Sequence, residues 1–200
     1  MPAPFRATNV RPENAVPVYS LNLKKNKAAL WGMNVGSVLL LFLFGWLFLT
    51  YVQQVRPGIM AEVIFVSVSP IYFVISLIGI FAVLIVVHEL IHGIFFWTFT
   101  RQRPKFGLRG WYAFASAPGW YFPRRQYLVI SLAPVVCLSV LGMILLVILP
   151  ADVLALALFA VILNAASSVG DLWITVRLLC ERRLVVVEDV GDGMYFYALG

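Results

Sequence analysis

The chain has 200 residues, of which 62% are hydrophobic and only 12% are charged. Soluble domains carry about 25% charged and 45–50% apolar residues, so this composition excludes an ordinary soluble domain and a disordered chain. It predicts an all-α polytopic membrane protein. The net charge of +6 does not indicate a nucleic-acid partner, because the basic residues flank long apolar runs, where they act as topology signals.

Four apolar segments follow a polar N-terminal tail of residues 1–28. Each can cross about 30 Å of hydrocarbon as a helix, and they lie at about residues 30–52, 71–99, 127–149 and 153–179. Residues 29–180 therefore form the predicted membrane core, and residues 181–200 a C-terminal tail with a short hairpin. Three details complete the prediction: a kink at Pro134, a helix cap at Asp152, and buried free thiols at the two cysteines.

Residues 100–126 interrupt the apolar pattern with six basic residues and the aromatic run GWYAFASAPGWYF. Turn signals at Gly107, Gly110 and Pro118-Gly119 predict a small β element at the membrane surface. Its aromatic side chains can anchor the protein at the interface, or the element can add a strand to an unfolded substrate segment. Anchoring is the favoured interpretation.

The basic residues predict the orientation of the chain. Fourteen of the 15 lysines and arginines lie in the N-terminal tail, in residues 100–126 or near the C-terminus, and Arg56 is the exception. Because basic residues are retained on the cytoplasmic side, both termini and the middle loop are expected to be cytoplasmic. The small β element is then cytoplasmic as well.

Four ionisable residues lie inside the predicted spans, away from their ends: His88, Glu89, His92 and Asp171. A charge at membrane depth costs at least about 2.5–3.5 kcal/mol, so such residues are functional candidates by default. His88 and His92 are also the only two histidines of the chain.

The segment His88-Glu89-Leu90-Ile91-His92 has the pattern HExxH. On a helix, residues four apart lie on one face, so the two imidazoles can bind one Zn²⁺ ion from the same side. Glu89 is adjacent to the first ligand and can act as the general base that takes a proton from the attacking water. Asp171 remains as the acidic residue that can supply a third protein ligand.

Charge balance favours a metal, because one Zn²⁺ ion cancels the charges of Glu89 and Asp171. The alternative is a metal-free polar cluster that joins helices, in which at least one carboxylate stays protonated. Haem does not fit, since histidines at this spacing cannot occupy opposite axial faces. A di-iron oxidase would need many more histidines.

At these residues the chain resembles the membrane zincins. HELIH on one span and NAASSVGD on a later span resemble the site-2 protease type of intramembrane metalloprotease, and the layout is closer still to a zincin peptidase family of membrane domains of unknown function. The resemblance implies zinc bound by His88, His92 and Asp171, with Glu89 as base. The order Gly170-Asp171 and the distance to Asn164 depart from the site-2 protease pattern, and no PDZ module is present.

Asn164 and Ser168 share a helix face with Asp171 and can orient it or bind a substrate carbonyl group; equally, they can be ordinary interhelical hydrogen bonds. The predicted function is zinc-dependent hydrolysis of a peptide bond in or beside the lipid bilayer, with a membrane protein or peptide as substrate. The alternative is a non-catalytic membrane protein that binds metal as a structural or sensing element. A transporter is disfavoured, because polar residues do not continue across the spans.

Overall fold

The computed structural model describes residues 6–22, 26–65, 69–109, 112–191 and 193–199. Over these residues the chain is mostly helical, with two small antiparallel sheets. The elements in chain order are β1 (Val16–Asn22), α1 (Lys27–Val55), α2 (Ile59–Phe65), α3 (Pro70–Thr100), β2 (Lys105–Arg109), β3 (Tyr112–Ser116), β4 (Tyr121–Pro123), α4 (Arg124–Ile148), α5 (Ala151–Ser167), α6 (Val169–Cys180), β5 (Val185–Asp189) and β6 (Gly193–Ala198).

Helices α1, α3 and α4 confirm the first three apolar segments as helices. All three are long and apolar enough to cross a membrane. Their large apolar side chains are widely exposed, as at Trp31, Phe42 and Ile78. A soluble monomer rarely leaves such extended apolar surface uncovered. Helix α4 continues through Pro134.

The fourth segment is not the single helix that was predicted. It consists of α5 and α6, separated by one residue and bent by 42°, and the two together are long and apolar enough for a fourth span. The hydroxyl groups of Ser167 and Ser168 both donate to the backbone carbonyl of Asn164, at 3.0 and 2.8 Å. Serine hydroxyls that compete for a helix carbonyl bend helices, which accounts for the break at this point.

Two further predictions were wrong. Pro150 and not Asp152 occupies the N-cap of α5, without a side-chain cap, and Asp152 lies within the first turn. Both cysteines are free, as predicted, but Cys137 and Cys180 are exposed and not buried. Large apolar side chains are exposed along both helices, as at Val136 and Val176, so an exposed thiol is not exceptional there.

The four-stranded sheet has the order β1-β6-β5-β4, and all its pairs are antiparallel. Strands β5 and β6 form the predicted C-terminal hairpin. The pairing of β1 with β6 was not predicted, because residues 16–22 carry little alternation and their partners lie 171–182 residues further along the chain. Strands β2 and β3 form a separate hairpin, which confirms the β element between α3 and α4.

The chain divides into two compact units. The first comprises Met1–Met33, Glu89–Pro134 and Gly170–Gly200, and holds both sheets together with parts of the helices. Its aromatic core includes Phe96 of α3, Phe122 of β4 and Tyr127 of α4, whose ring centroids lie 5.3 to 6.5 Å apart. These contacts hold the start of α4 beside the second half of α3.

The second unit comprises Asn34–His88 and Val135–Val169 and is helical. Small residues allow close approach of its helices: a Cβ atom on Gly142 of α4 would lie 2.2 Å from Val161 of α5. Gly32 and Gly36 of α1 have the Gly-x-x-x-Gly spacing that lets membrane helices approach closely. A Cβ atom on Gly36 would lie 3.0 Å from Val169, so Gly36 packs within the chain.

Candidate metal centre

Helix α3 carries His88, Glu89 and His92 in one continuous helical segment. His88 and His92 are one turn apart and therefore lie on the same helix face. The side chain of His92 is buried, whereas His88 and Glu89 are half-buried. The histidine pair is thus fixed by the geometry of a single helix.

The Nδ1 atoms of both histidines are engaged by oxygen acceptors. His88 Nδ1 lies 3.2 Å from Asn164 Oδ1, and His92 Nδ1 lies 2.9 Å from the backbone oxygen of Ile130. An amide oxygen can only accept, so each Nδ1 must carry the hydrogen and donate it. Each neutral imidazole then keeps its lone pair on Nε2, which is the atom that can bind a metal.

Asp171 lies in the first turn of α6, with one carboxylate oxygen 3.3 Å from His92 Nε2. His88, His92 and Asp171 each offer one ligand atom, and these three atoms lie within 4.8 Å of one another. The structure thus brings together the two histidines and the aspartate that the sequence singled out. Whether they act as ligands stays a prediction.

This donor set fits a zinc ion. Zinc binds imidazole nitrogen and carboxylate oxygen at about 2.0–2.2 Å, so two ligands of one tetrahedral ion lie about 3.3–3.6 Å apart. The 3.3 Å between His92 Nε2 and Asp171 has that value. Two lone pairs that face each other at this distance repel unless a proton or a metal cation lies between them.

The Asn164 side chain brings two polar atoms to the centre, an acceptor oxygen and a donor nitrogen. Its Oδ1 atom accepts from His88, while its Nδ2 atom is buried and has no hydrogen-bond partner among the described residues. Ser168 is buried too, and its hydroxyl donates a hydrogen bond to the backbone carbonyl oxygen of Asn164. Asn164 therefore touches a candidate ligand directly, and Ser168 acts on the backbone of Asn164.

Sequence reasoning missed the contribution of α4. Besides the Ile130 carbonyl, Tyr127 donates its hydroxyl to Asp189 Oδ2 at 2.5 Å, and Ser131 shares a 2.9 Å hydrogen bond with Thr175. The sequence signal for the Ile130 carbonyl is Pro134, four residues later, which has no N–H and leaves this carbonyl without its helical hydrogen bond. Asp189 follows the apolar segments, where an acidic residue attracts no attention. Its only signal is the Asp-x-Gly spacing typical of a turn.

The surroundings of Asp189 change its acidity. The pKa of the Asp189 carboxyl group is raised to about 6, because burial raises it more than the hydrogen bonds from Tyr127 and from the Gly191 amide lower it. The charge of Asp171 raises the pKa of Asp189 further, and the charge of a protonated His92 lowers it. Asp189 therefore lies within electrostatic reach of two candidate ligands.

Comparison with known proteins identifies a family. A family profile described as "Putative zincin peptidase" matches residues 81–185, which is just over half of the chain and includes α4 and all the residues of the candidate centre except Asp189. No curated protein and no solved structure matches the chain.

Proposed function

The chain belongs to the family described as "Putative zincin peptidase", and we propose that it is a zinc-dependent peptidase that cleaves peptide bonds within or beside the lipid bilayer. One observation carries the proposal: two histidines with engaged Nδ1 atoms and one carboxylate each offer a ligand atom, and these three atoms lie within 4.8 Å of one another. The site-2 proteases, which the motif residues resemble, carry out a reaction of this kind.

In this proposal His88, His92 and Asp171 would hold a zinc ion. A bound zinc ion lowers the pKa of its water toward about 7 and polarises a carbonyl group. Glu89 takes the proton of the attacking water and passes it to the leaving amine, so that the peptide bond breaks with no net change in protons. A purely structural site would need no such base.

Asn164 is proposed to bind the substrate carbonyl oxygen through Nδ2. A buried amide N–H without a partner costs about 1–3 kcal/mol, and a ligand that accepts from it recovers that cost. A donor aimed at the oxygen on which negative charge develops also stabilises the transition state. Asn164 would then fix one ligand through Oδ1 and bind substrate through Nδ2.

The bilayer is part of the proposal. Helices α1, α3 and α4 and the bent pair α5–α6 would form four spans, with the candidate centre at membrane depth. A peptide bond reaches such a centre when it lies in a membrane-embedded or membrane-adjacent segment that can be unfolded. The proposed substrates are therefore membrane proteins or peptides, and the protein is a multi-pass membrane protein with cytoplasmic termini.

The test is cleavage of labelled single-span peptides by the protein in liposomes, with products located by mass spectrometry. Glu89→Gln should lower turnover about 10²–10⁴-fold, the usual effect of losing a general base. Glu62→Gln, an acid-to-amide change in α2, should leave turnover unchanged. Cleavage by Glu89→Gln at the wild-type rate would refute the mechanism. Zinc binding without cleavage of any peptide would favour the structural or sensing alternative.

A further inference from the structure

The first two turns of α4 connect the elements of the first unit that surround the candidate centre. Tyr127, Ile130 and Ser131 stand three and four residues apart and so share one face of α4. The Tyr127 hydroxyl contacts β5 at Asp189, and the Ile130 carbonyl contacts α3 at His92. Ser131 contacts α6 at Thr175, which lies one helical turn after Asp171. One face of α4 therefore contacts α3, α6 and β5, the elements that carry His92, Asp171 and Asp189.

The proposed reaction assigns no role to Asp189, which belongs to this network. Its Oδ2 atom accepts from Tyr127 at 2.5 Å and its Oδ1 atom accepts from the Gly191 amide at 2.8 Å. Among the residues that the structure describes, no lysine or arginine forms an ion pair with it. A half-buried carboxylate without a paired cation loses part of its solvation, and a nearby divalent ion would offset that loss.

We propose that Tyr127 and Asp189 are positioning residues of the metal centre: together they fix the first turns of α4, whose Ile130 carbonyl orients His92, and the Asp189 carboxylate adds negative charge that favours a divalent cation nearby. This inference rests on the proposed function. It assigns α4 and the C-terminal sheet a part in metal binding that the HExxH pattern does not contain.

The chain of contacts gives the physical reason. Tyr127 lies one turn before Ile130, so a shift of its ring displaces the carbonyl that keeps the hydrogen on His92 Nδ1. Groups behind a metal ligand determine its orientation and basicity, and their loss typically weakens metal binding about 10–100-fold. Asp189 holds the Tyr127 hydroxyl and therefore acts on His92 through Tyr127.

A purely structural role is the competing explanation, since Asp189 also closes the turn between β5 and β6 through Gly191. The neighbouring residue provides a matched control. Tyr197 donates its hydroxyl to Glu188 at 3.0 Å, which is a tyrosine–carboxylate pair on the same two strands. Successive strand residues point to opposite sheet faces, so the side chain of Glu188 points away from that of Asp189.

The experiment measures binding of Zn²⁺ and Co²⁺ to the purified full chain in detergent, by competition with a chelator and by the cobalt ligand-field spectrum. Tyr127→Phe and Asp189→Asn should each bind zinc about 10–100-fold more weakly than the wild type and shift the cobalt spectrum. Tyr197→Phe and Glu188→Gln should match the wild type in both. If Tyr127→Phe does not fold, Asp189→Asn decides, because an asparagine can still accept from Gly191.

The outcomes distinguish the positioning role of Tyr127 and Asp189 from the proposed function. Wild-type affinity and spectrum in Tyr127→Phe and Asp189→Asn, with zinc lost in His92→Ala, would overturn this inference and leave the proposed function intact. Equal weakening in all four variants would also overturn it, because sheet stability would then explain the loss. A wild-type protein that binds no zinc would refute the proposed function itself.

Discussion

Individual hydrogen bonds determine which atoms of this centre can face a metal. The acceptors Asn164 Oδ1 and Ile130 O place the hydrogens of His88 and His92 on Nδ1. With the hydrogens there, both lone pairs are on Nε2 and can bind one ion from the same helix face. Asn164 is the more informative residue to change, because its side chain combines an acceptor and a donor.

Two substitutions at Asn164 separate these functions. Asn164→Asp keeps an oxygen for His88 and removes the Nδ2 donor, so zinc affinity should be retained while kcat falls about 10²–10³-fold, the usual effect of losing a transition-state donor. Asn164→Ala removes both, so zinc affinity should fall about 10–100-fold as well. Chelator competition and peptide cleavage measure the two effects. Equal kcat for Asn164→Asp and the wild type would exclude a role in binding the substrate carbonyl.

The residues that could be predicted from the sequence are ionisable residues within apolar segments, where such residues are rare. His88, Glu89, His92 and Asp171 could be found because ionisable groups at membrane depth are costly. Asp189 could not, because it follows the apolar segments, where acids are ordinary. Tyr127 and Ile130 are common residues of an apolar helix, and only the fold shows that the Ile130 carbonyl meets an imidazole.

Helices α1, α3 and α4 were predicted to within three residues at each end, because an apolar run of the right length dictates a helix when no water can satisfy its backbone. The break between α5 and α6 was not predicted, because the sequence LNAASSVGD is also compatible with an unbroken helix. Its cause is local: two adjacent hydroxyls donate to one carbonyl, that of Asn164. The strand β1 was missed because its only partner within the sheet is a distant strand, β6.

Packing between α4 and α5 gives a prediction about stability. An alanine at Gly142 would place its Cβ atom 2.2 Å from a methyl group of Val161 and 3.1 Å from its Cβ atom. Val161 is buried and branched at Cβ, so it cannot turn away, and Gly142→Ala should destabilise the fold by about 1–3 kcal/mol.

Gly79→Ala is the matched control, because nothing lies within 4 Å of a Cβ atom on this α3 residue. Its stability should equal or exceed that of the wild type, since alanine is the better helix former. Resistance to denaturant in detergent, measured for both variants, checks the pair. If Gly142→Ala is as stable as Gly79→Ala, the close approach of α4 and α5 at this point is wrong.

For the whole molecule, the four-stranded sheet bears on membrane topology. It joins β1 from the N-terminal region, β4 from the segment before α4, and β5 with β6 from the C-terminal region. Strands of one sheet must lie on one side of a membrane. The sheet is thus consistent with the orientation predicted from the basic residues, which puts these three regions on one side and rests on the sequence alone.

Reporter fusions after Arg103 and at Gly200 should therefore both read cytoplasmic, and a reporter inserted after Arg56 should read external. Residues 100–126, which include Arg103, hold six basic residues and the C-terminal region holds three, whereas Arg56 lies between α1 and α2. An external signal at Arg103 or Gly200 would contradict the proposed orientation. Equal signals at all three sites would contradict the four-span arrangement.

The zinc content of the purified protein tests the central claim most directly. Elemental analysis should find about one zinc per chain in the wild type and in Glu89→Gln, because Glu89 is a base and not a ligand. It should find almost none in His88→Ala and His92→Ala. A wild-type protein that contains no zinc and takes up none when it is added, or a His88→Ala variant that retains a full zinc ion, would contradict the account.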